Sequence, residues 1–309
     1  MSSKIITRIS AVALGAAMIV SAAACGTSNA GSSSGSSSSA ADKGVDVSSV
    51  KKDDAIAALL PSSVTKDGTL TIGTDTSYAP AEFLDADGKT PIGFDVDLGQ
   101  AIANVFGLKR VTVSSTFDSI IPSVGSKYDI GMSSFTVTKE RLAAVDFVTY
   151  FNAGSTFVVQ KGNPKKIDTD NLCGAKLAVQ TGTTQESAAH TIDKQCTAAG
   201  KKSIQIQSFK AQTDVTTAVA SGKSDIFYAD TPVAGYAIVQ TNNTLQTIGK
   251  DVDVTPEGIV VKKGDTATAQ AVQKAVQKLI DDGTYKKVLS HWGVASGAID
   301  KAEINPSVE

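Results

Sequence analysis

The sequence predicts an α/β protein made of two tandem units. Three observations carry that prediction: strand-like segments alternate with helical periodicity, the pattern restarts near residue 176, and polar loops follow the strands. In the first unit, residues 54–60 read as a short helix stopped by Pro61. Residues 69–73 alternate as a strand, and 74–80 form a polar loop. A helix then carries Val96, Leu98, Ala101, Ile102, Val105 and Phe106, with Asp95 as the capping-type residue at its start. Residues 110–113 form a strand, Ile120, Ile121 and Val124 a short helix, and residues 129–132 another short strand.

The second unit opens on a strand at 176–180, and Thr183 and Glu186 stand at capping-box spacing for the next helix. Residues 204–207 form a strand, Val215, Ala218 and Val219 share a helix face, and a strand at 225–229 delivers Asp230 at its C-terminal end. Val272, Ala275, Val276, Leu279 and Ile280 follow i, i+3, i+4, i+7, i+8 spacing, and Gly283 fits the stop of that helix.

The amino terminus has a separate role. Residues 1–24 resemble an export signal, with Lys4 and Arg8 ahead of an uncharged apolar run that ends in Ala22, Ala23 and Ala24 before Cys25. A signal that stops before a cysteine predicts acylation of Cys25; the other reading is cleavage after Ala24 that leaves a free thiol. Residues 26–41 are almost wholly Gly, Ser and Ala, a flexible tether suited to holding a folded body off a membrane. Residues 25–65 thus comprise the anchor, the tether and a short helix. No later stretch is long and apolar enough to cross a bilayer.

Removing the signal leaves 27 basic and 31 acidic residues, and no basic cluster that would attract nucleic acid. Cys173 and Cys196 are the remaining cysteines; an oxidising compartment favours a disulfide between them over two buried thiols. No His or second Cys stands at metal-ligand spacing, so neither metal nor cofactor is expected.

Polar groups gather just after the strands, where open α/β sheets bind ligands. The loops 74–78, 133–141 and 181–186, with Asp230, supply a guanidinium, carboxylates, hydroxyls and helix-start amides, a set suited to a zwitterion.

Seven segments in register resemble the family 3 solute-binding proteins, the polar amino acid receptors of ATP-driven importers. They are residues 73–83, 93–98, 117–122, 132–141, 145–147, 179–184 and 281–285. The resemblance implies a two-lobed Venus-flytrap fold crossed by two strands, with lobe one at 66–155 plus 254–309 and lobe two at 156–253. It further implies a monomeric receptor anchored on the outer face of the cell membrane, delivering a free amino acid to a permease.

On that pattern Arg141 clamps the ligand α-carboxylate, because a guanidinium matches two oxygens with a rigid fork. Thr136 and the Ser133–Ser134 segment complete the carboxylate site, and Thr183 and Thr184 close over it. Asp230, from the other lobe, accepts from the α-ammonium. Tyr78 and Phe117 pack on the ligand side chain, whose tip Asp75 and Gln180 read.

Each residue has a simpler rival role. Arg141 could pair with Glu140 or Asp146 on a solvated helix, and Asp230 could cap the turn at Thr231 and Pro232. Tyr78 and Phe117 could be core aromatics, Asp75 a loop cap and Gln180 a solvated strand end. Asp95 and Asp97 are expected to have no ligand role.

Ala81 stands where the family usually has Phe, a loss that could enlarge the cleft, so glutamine-like and basic amino acids both remain open as ligands. A dehydratase on the same fold is the rival enzyme reading, but no nucleophile–base pair is present in the matched loops. A sensor domain is a further alternative, disfavoured by the lack of a following transmembrane segment.

Overall fold

Two strands far longer than the rest organise the chain. In the computed structural model, which describes residues 44–308, the strands in chain order are β1 (Thr69–Thr74), β2 (Ser77–Tyr78), β3 (Glu82–Leu84), β4 (Pro91–Ile92), β5 (Lys109–Ser114) and β6 (Ile130–Thr136). They continue with β7 (Val145–Gln160), β8 (Lys176–Gln180), β9 (Gln205–Phe209), β10 (Ile226–Asp230) and β11 (Leu245–Lys262). The export signal, Cys25 and the tether lie outside the described residues.

At roughly 3.3 Å per residue, the 16 residues of β7 and 18 of β11 span about 50 and 60 Å, enough to run through two lobes. The main sheet has the order β5-β1-β6-β11-β7-β10-β8-β9, with β2, β3 and β4 forming a small second sheet. β1 is parallel to β5 and β6, and β8 is parallel to β9 and β10, so each end of the sheet is a parallel unit. β11 runs antiparallel to β6 and β7, which makes the whole sheet mixed and joins the two units through two crossing strands. This is the Venus-flytrap architecture.

The crossing strands pair in two stretches with different registers. Residues 145–153 face 255–262, residues 155–160 face 245–252, and the register shifts between Val252 and Thr255. Gly154 sits at this break; a Cβ there would stand 3.1 Å from the Val252 carbonyl oxygen, a tight contact that glycine avoids. Pro256 lacks the N–H that a regular ladder needs and is placed beside the irregularity, where strands tolerate it.

β6 and β10 are buried along nearly their whole length, as expected of strands covered on both faces. Phe117, Ile120, Tyr128, Phe135 and Phe147 cluster beside one end of the sheet, and Phe157, Leu172, Leu177, Ile204 and Tyr228 beside the other. Cys173 and Cys196 are joined by a disulfide at the edge of this second cluster. Closing the loop between them, 23 residues apart in sequence, stabilises the fold by about 3 kcal/mol through the entropy it removes from the unfolded chain.

Several local expectations are corrected. The first helix is only Asp54–Ala57, and Pro61 stands as the N-cap of a second helix, Ser62–Thr65. The region of Ile120, Ile121 and Val124 divides into a helical turn at Phe117–Ile120 and a 3-10 turn at Ile121–Ser123, because Pro122 cannot continue α-helical bonding. β6 runs on to Thr136, so Ser133, Ser134 and Thr136 stand on a strand and not in a loop.

Asp95 does not cap its helix, which spans Phe94–Phe106. Gly93 takes that position at φ 129°, a conformation closed to other residues, and an added Cβ would come within 2.1 Å of the Ala81 carbonyl oxygen. Ala81 itself is buried in the core at this helix start. Asp95 is turned inward to tertiary partners that outcompete a local cap.

Candidate functional site

The ends of β1, β6, β8 and β10 converge where the two lobes meet. Asp230, the last residue of β10, is buried, and its carboxylate makes no cap bond to the helix Thr231–Gln240 that follows. Tyr78 Oη donates to Asp230 Oδ2 at 2.6 Å, and Gln185 Nε2 donates to Asp230 Oδ1 at 2.7 Å. Burial raises the carboxyl's pKa above its ordinary value, against the pull of these donors and the nearby Arg141 charge. The turn-capping role for Asp230 is therefore not the one it performs.

Arg141 lies in the helix Lys139–Ala144, whose start Thr138 caps by accepting from the Arg141 N–H. Its Nη1 donates to the Thr136 carbonyl oxygen at 2.8 Å, and its Nη2 reaches across to the Gly182 carbonyl oxygen at 3.0 Å. The guanidinium also rests 5.4 Å from the Phe117 ring centroid, and Phe117 stacks on Phe135 at 4.8 Å. Asp146 is engaged by Lys263 instead. Burial depresses the Arg141 pKa, while Asp230 and Glu140 oppose that shift.

Asp75 and Gln180 meet across the site. Gln180 Nε2 donates to Asp75 Oδ2 at 2.7 Å, and the Phe117 and Ser77 amides donate to the same carboxylate. Burial raises the Asp75 pKa against these bonds. Gln180 is buried, not solvated, and its Oε1 has no hydrogen-bond partner.

Other predicted residues serve the frame. Ser133 Oγ accepts from the Asp75 amide and donates to Glu82, which fixes the β1 end against β6. Thr183 caps the helix Thr184–Ala198, accepting from the Glu186 N–H and donating to the Gln180 carbonyl oxygen. Ser134, at φ 48°, turns its amide to Asp95 and Tyr150. Thr136 and Thr184 line a cleft of about 590 Å³ on the hinge side, together with Ser155 and Gln185. That cleft borders the Asp230 cluster; Asp75 and Tyr78 do not line it, their polar groups being turned to Gln180 and Asp230.

Contacts between the lobes close the rim. Ser77 Oγ accepts from the Gln212 amide at 3.0 Å, and Lys210 pairs with Asp118. With the Tyr78–Asp230, Asp75–Gln180 and Arg141–Gly182 bonds, they join the two lobes around the site.

Sequence reasoning missed a second tier of buried groups. Gln185 and Ser155 both touch Asp230, and Gln185 Nε2 also donates to Ser155 Oγ at 2.7 Å. Asp95 accepts from Tyr150 Oη at 2.8 Å, and burial pushes its carboxyl up to about 7. Glu82, buried beside it, is pushed well above the usual carboxylate range by burial and by the Asp95 charge. Glu257, on β11, is equally buried. Its signal in the sequence is a carboxylate next to an apolar strand run, Ile259 to Val261. Among the described residues, no group of three or more His, Cys, Asp or Glu is placed to hold a metal ion.

Residues 70–295, which contain this whole site, match the sequence profile of the bacterial extracellular solute-binding proteins, family 3. The chain belongs to this family. Among relatives of this solute-binding protein is the arginine-binding protein of Corynebacterium glutamicum, 34% identical over 252 residues, covering 81% of this chain and 82% of that protein. An ancestral arginine-binding protein bound to arginine is 34% identical with a TM-score of 0.66, over 73% of this chain and 98% of that one. An ancestral amino acid-binding protein described as a precursor of cyclohexadienyl dehydratase is 36% identical with a TM-score of 0.64, over 74% and 97% of the two chains.

Proposed function

We propose that this solute-binding protein captures a basic or polar L-amino acid, with L-arginine the leading candidate, and delivers it to the permease of an ABC importer. The observation that carries the reading is the placement of Arg141 and Asp230 on opposite sides of one closed site, a fixed cation for a carboxylate and a buried carboxylate for an ammonium. A ligand that bridges them favours the closed form, which turns binding into a change of shape the permease can read.

Lobe one is assigned to 66–155 plus 254–309 and lobe two to 156–253, boundaries supported by the register shift of the crossing strands. At the far end, a cationic or amide side chain would take the place of the Gln180 amide as donor to Asp75. The arginine-binding relatives favour the cationic choice. A melting-temperature series over the twenty L-amino acids checks this: basic ligands should raise Tm most, by mass action. A larger shift with aspartate or glutamate would contradict the role given to Asp75.

The likeness to a dehydratase precursor favours one second reading, catalysis on the same fold. The protein's polar groups have a sufficient use in holding a zwitterion, and an amino acid recovered unchanged after prolonged incubation supports a receptor. The receptor would be a monomer held on the outer face of the membrane by acylated Cys25, on the tether 26–41. No helix among the described residues is long and apolar enough to cross a membrane. Cys25→Ser should therefore move the protein from the membrane fraction to the medium; continued membrane retention would contradict the lipid anchor.

A further inference from the structure

Glu257 occupies a position that no role described so far explains. It stands on β11 at the shift in register, opposite Thr136 of β6 on one side and Phe151 of β7 on the other. Its relative exposure is 1%, and its Oε2 has no hydrogen-bond partner. A buried carboxyl oxygen without a donor costs folding free energy, so its retention calls for a donor supplied at some stage of function.

Its surroundings identify that donor. Ser134 favours the carboxyl's ionised form while the Asp230 and Asp95 charges oppose it, and Phe135, next to Ser134, pairs with Gly258 beside Glu257. Charged and titratable groups face it from every side: Asp230 on β10, Asp95 on the helix Phe94–Phe106 with Glu82 of β3 behind it, Tyr78 on β2, Tyr150 on β7 and Arg141 on the helix Lys139–Ala144. The cluster holds several carboxyls against the one guanidinium of Arg141, which leaves it suited to a further cation.

We propose that Glu257 contacts the ligand, joining Asp230 as the second carboxylate that receives the amino acid's α-ammonium. This rests on the amino acid-receptor reading above. An α-ammonium has three N–H donors; Asp230 at the end of β10 and Glu257 on β11 accept two of them.

The pairing carries a proton balance. Burial and the Asp230 charge hold the Glu257 carboxyl well above its ordinary pKa, which favours its protonated form before binding. When the ammonium enters, its positive charge favours the ionised carboxylate: the Glu257 O–H bond breaks, the proton passes to solvent buffer, and both carboxylates face the cation. Binding then becomes tighter as pH rises, because the proton is released more easily at higher pH.

Calorimetric titration with L-arginine, L-lysine, L-histidine and L-glutamine in buffers of differing ionisation enthalpy tests this. The purified protein should release protons to the buffer on binding ligand near pH 7. E257Q should bind about tenfold or more weakly and lose most of that release, as should E257L, while the remaining Asp95 and Glu82 keep their own titration. No proton release by the unaltered protein, or variants with unchanged affinity and unchanged release, would overturn the role of Glu257. Should the variants fail to fold, the proton count of the unaltered protein decides. Absence of binding by any of the four amino acids would instead remove the receptor reading itself.

Discussion

Arg141→Ala is expected to lower affinity for the amino acid by a hundredfold or more, the order of about 3 kcal/mol that follows when a buried charge loses its partner. The two guanidinium bonds to the Thr136 and Gly182 carbonyls place the group on the seam between the lobes, and the Phe117 face holds its plane. Arg141→Lys should rescue little of the loss, because an ammonium cannot make the paired fork or lie flat on an aromatic ring. Titration calorimetry of the two variants checks both statements. Near-normal affinity in the alanine variant would remove Arg141 from the carboxylate site.

Asp230→Asn separates function from stability. The asparagine keeps the shape of the side chain, and one rotamer retains an acceptor for Tyr78, but the charge proposed to meet the ammonium is gone. Binding should weaken about a hundredfold, at the strong end of hydrogen bonds to charged groups. Stability should move the other way. The folded-state pKa of Asp230 is raised by burial above its unfolded value, so ionisation opposes folding as pH climbs past that unfolded value. Removing the ionisable group therefore leaves the ligand-free protein as stable or more stable near pH 7. A variant with a lower Tm and full affinity would refute both halves of this account. Functional sites commonly carry such a cost.

The parts of the site legible in the sequence were those that follow from strand ends and helix starts. Asp230 closes an apolar strand and Thr183 opens a capped helix, both local signals. Arg141 was legible because its segment matched a known pattern; helix spacing alone left a surface ion pair equally open. The groups missed share a different property. Asp95 and Glu82 look like helix-start and loop residues, and only the fold brings them to Ser133, Ser134 and Tyr150. Glu257 follows Pro256, which in a linear reading signals a turn and the end of a strand, yet β11 continues through it by shifting register. Long-range pairing decides these positions, and no local periodicity encodes it.

The extent of the parallel units was also readable, since each helix between strands has an apolar face. The mixed character of the sheet was not, because β7 and β11 are long strands whose second halves pair in another lobe. Their role as the hinge follows from that dual pairing.

The central claim is that Arg141 and Asp230 hold the two ends of one α-amino acid between the lobes. Titration of the purified protein with L-arginine, against agmatine, which lacks the α-carboxylate, tests it most directly. One L-arginine should bind per chain, and agmatine should bind at least a hundredfold more weakly, the loss expected when Arg141 has no carboxylate to meet. Equal binding of the two compounds, or no binding of any L-amino acid, would contradict it.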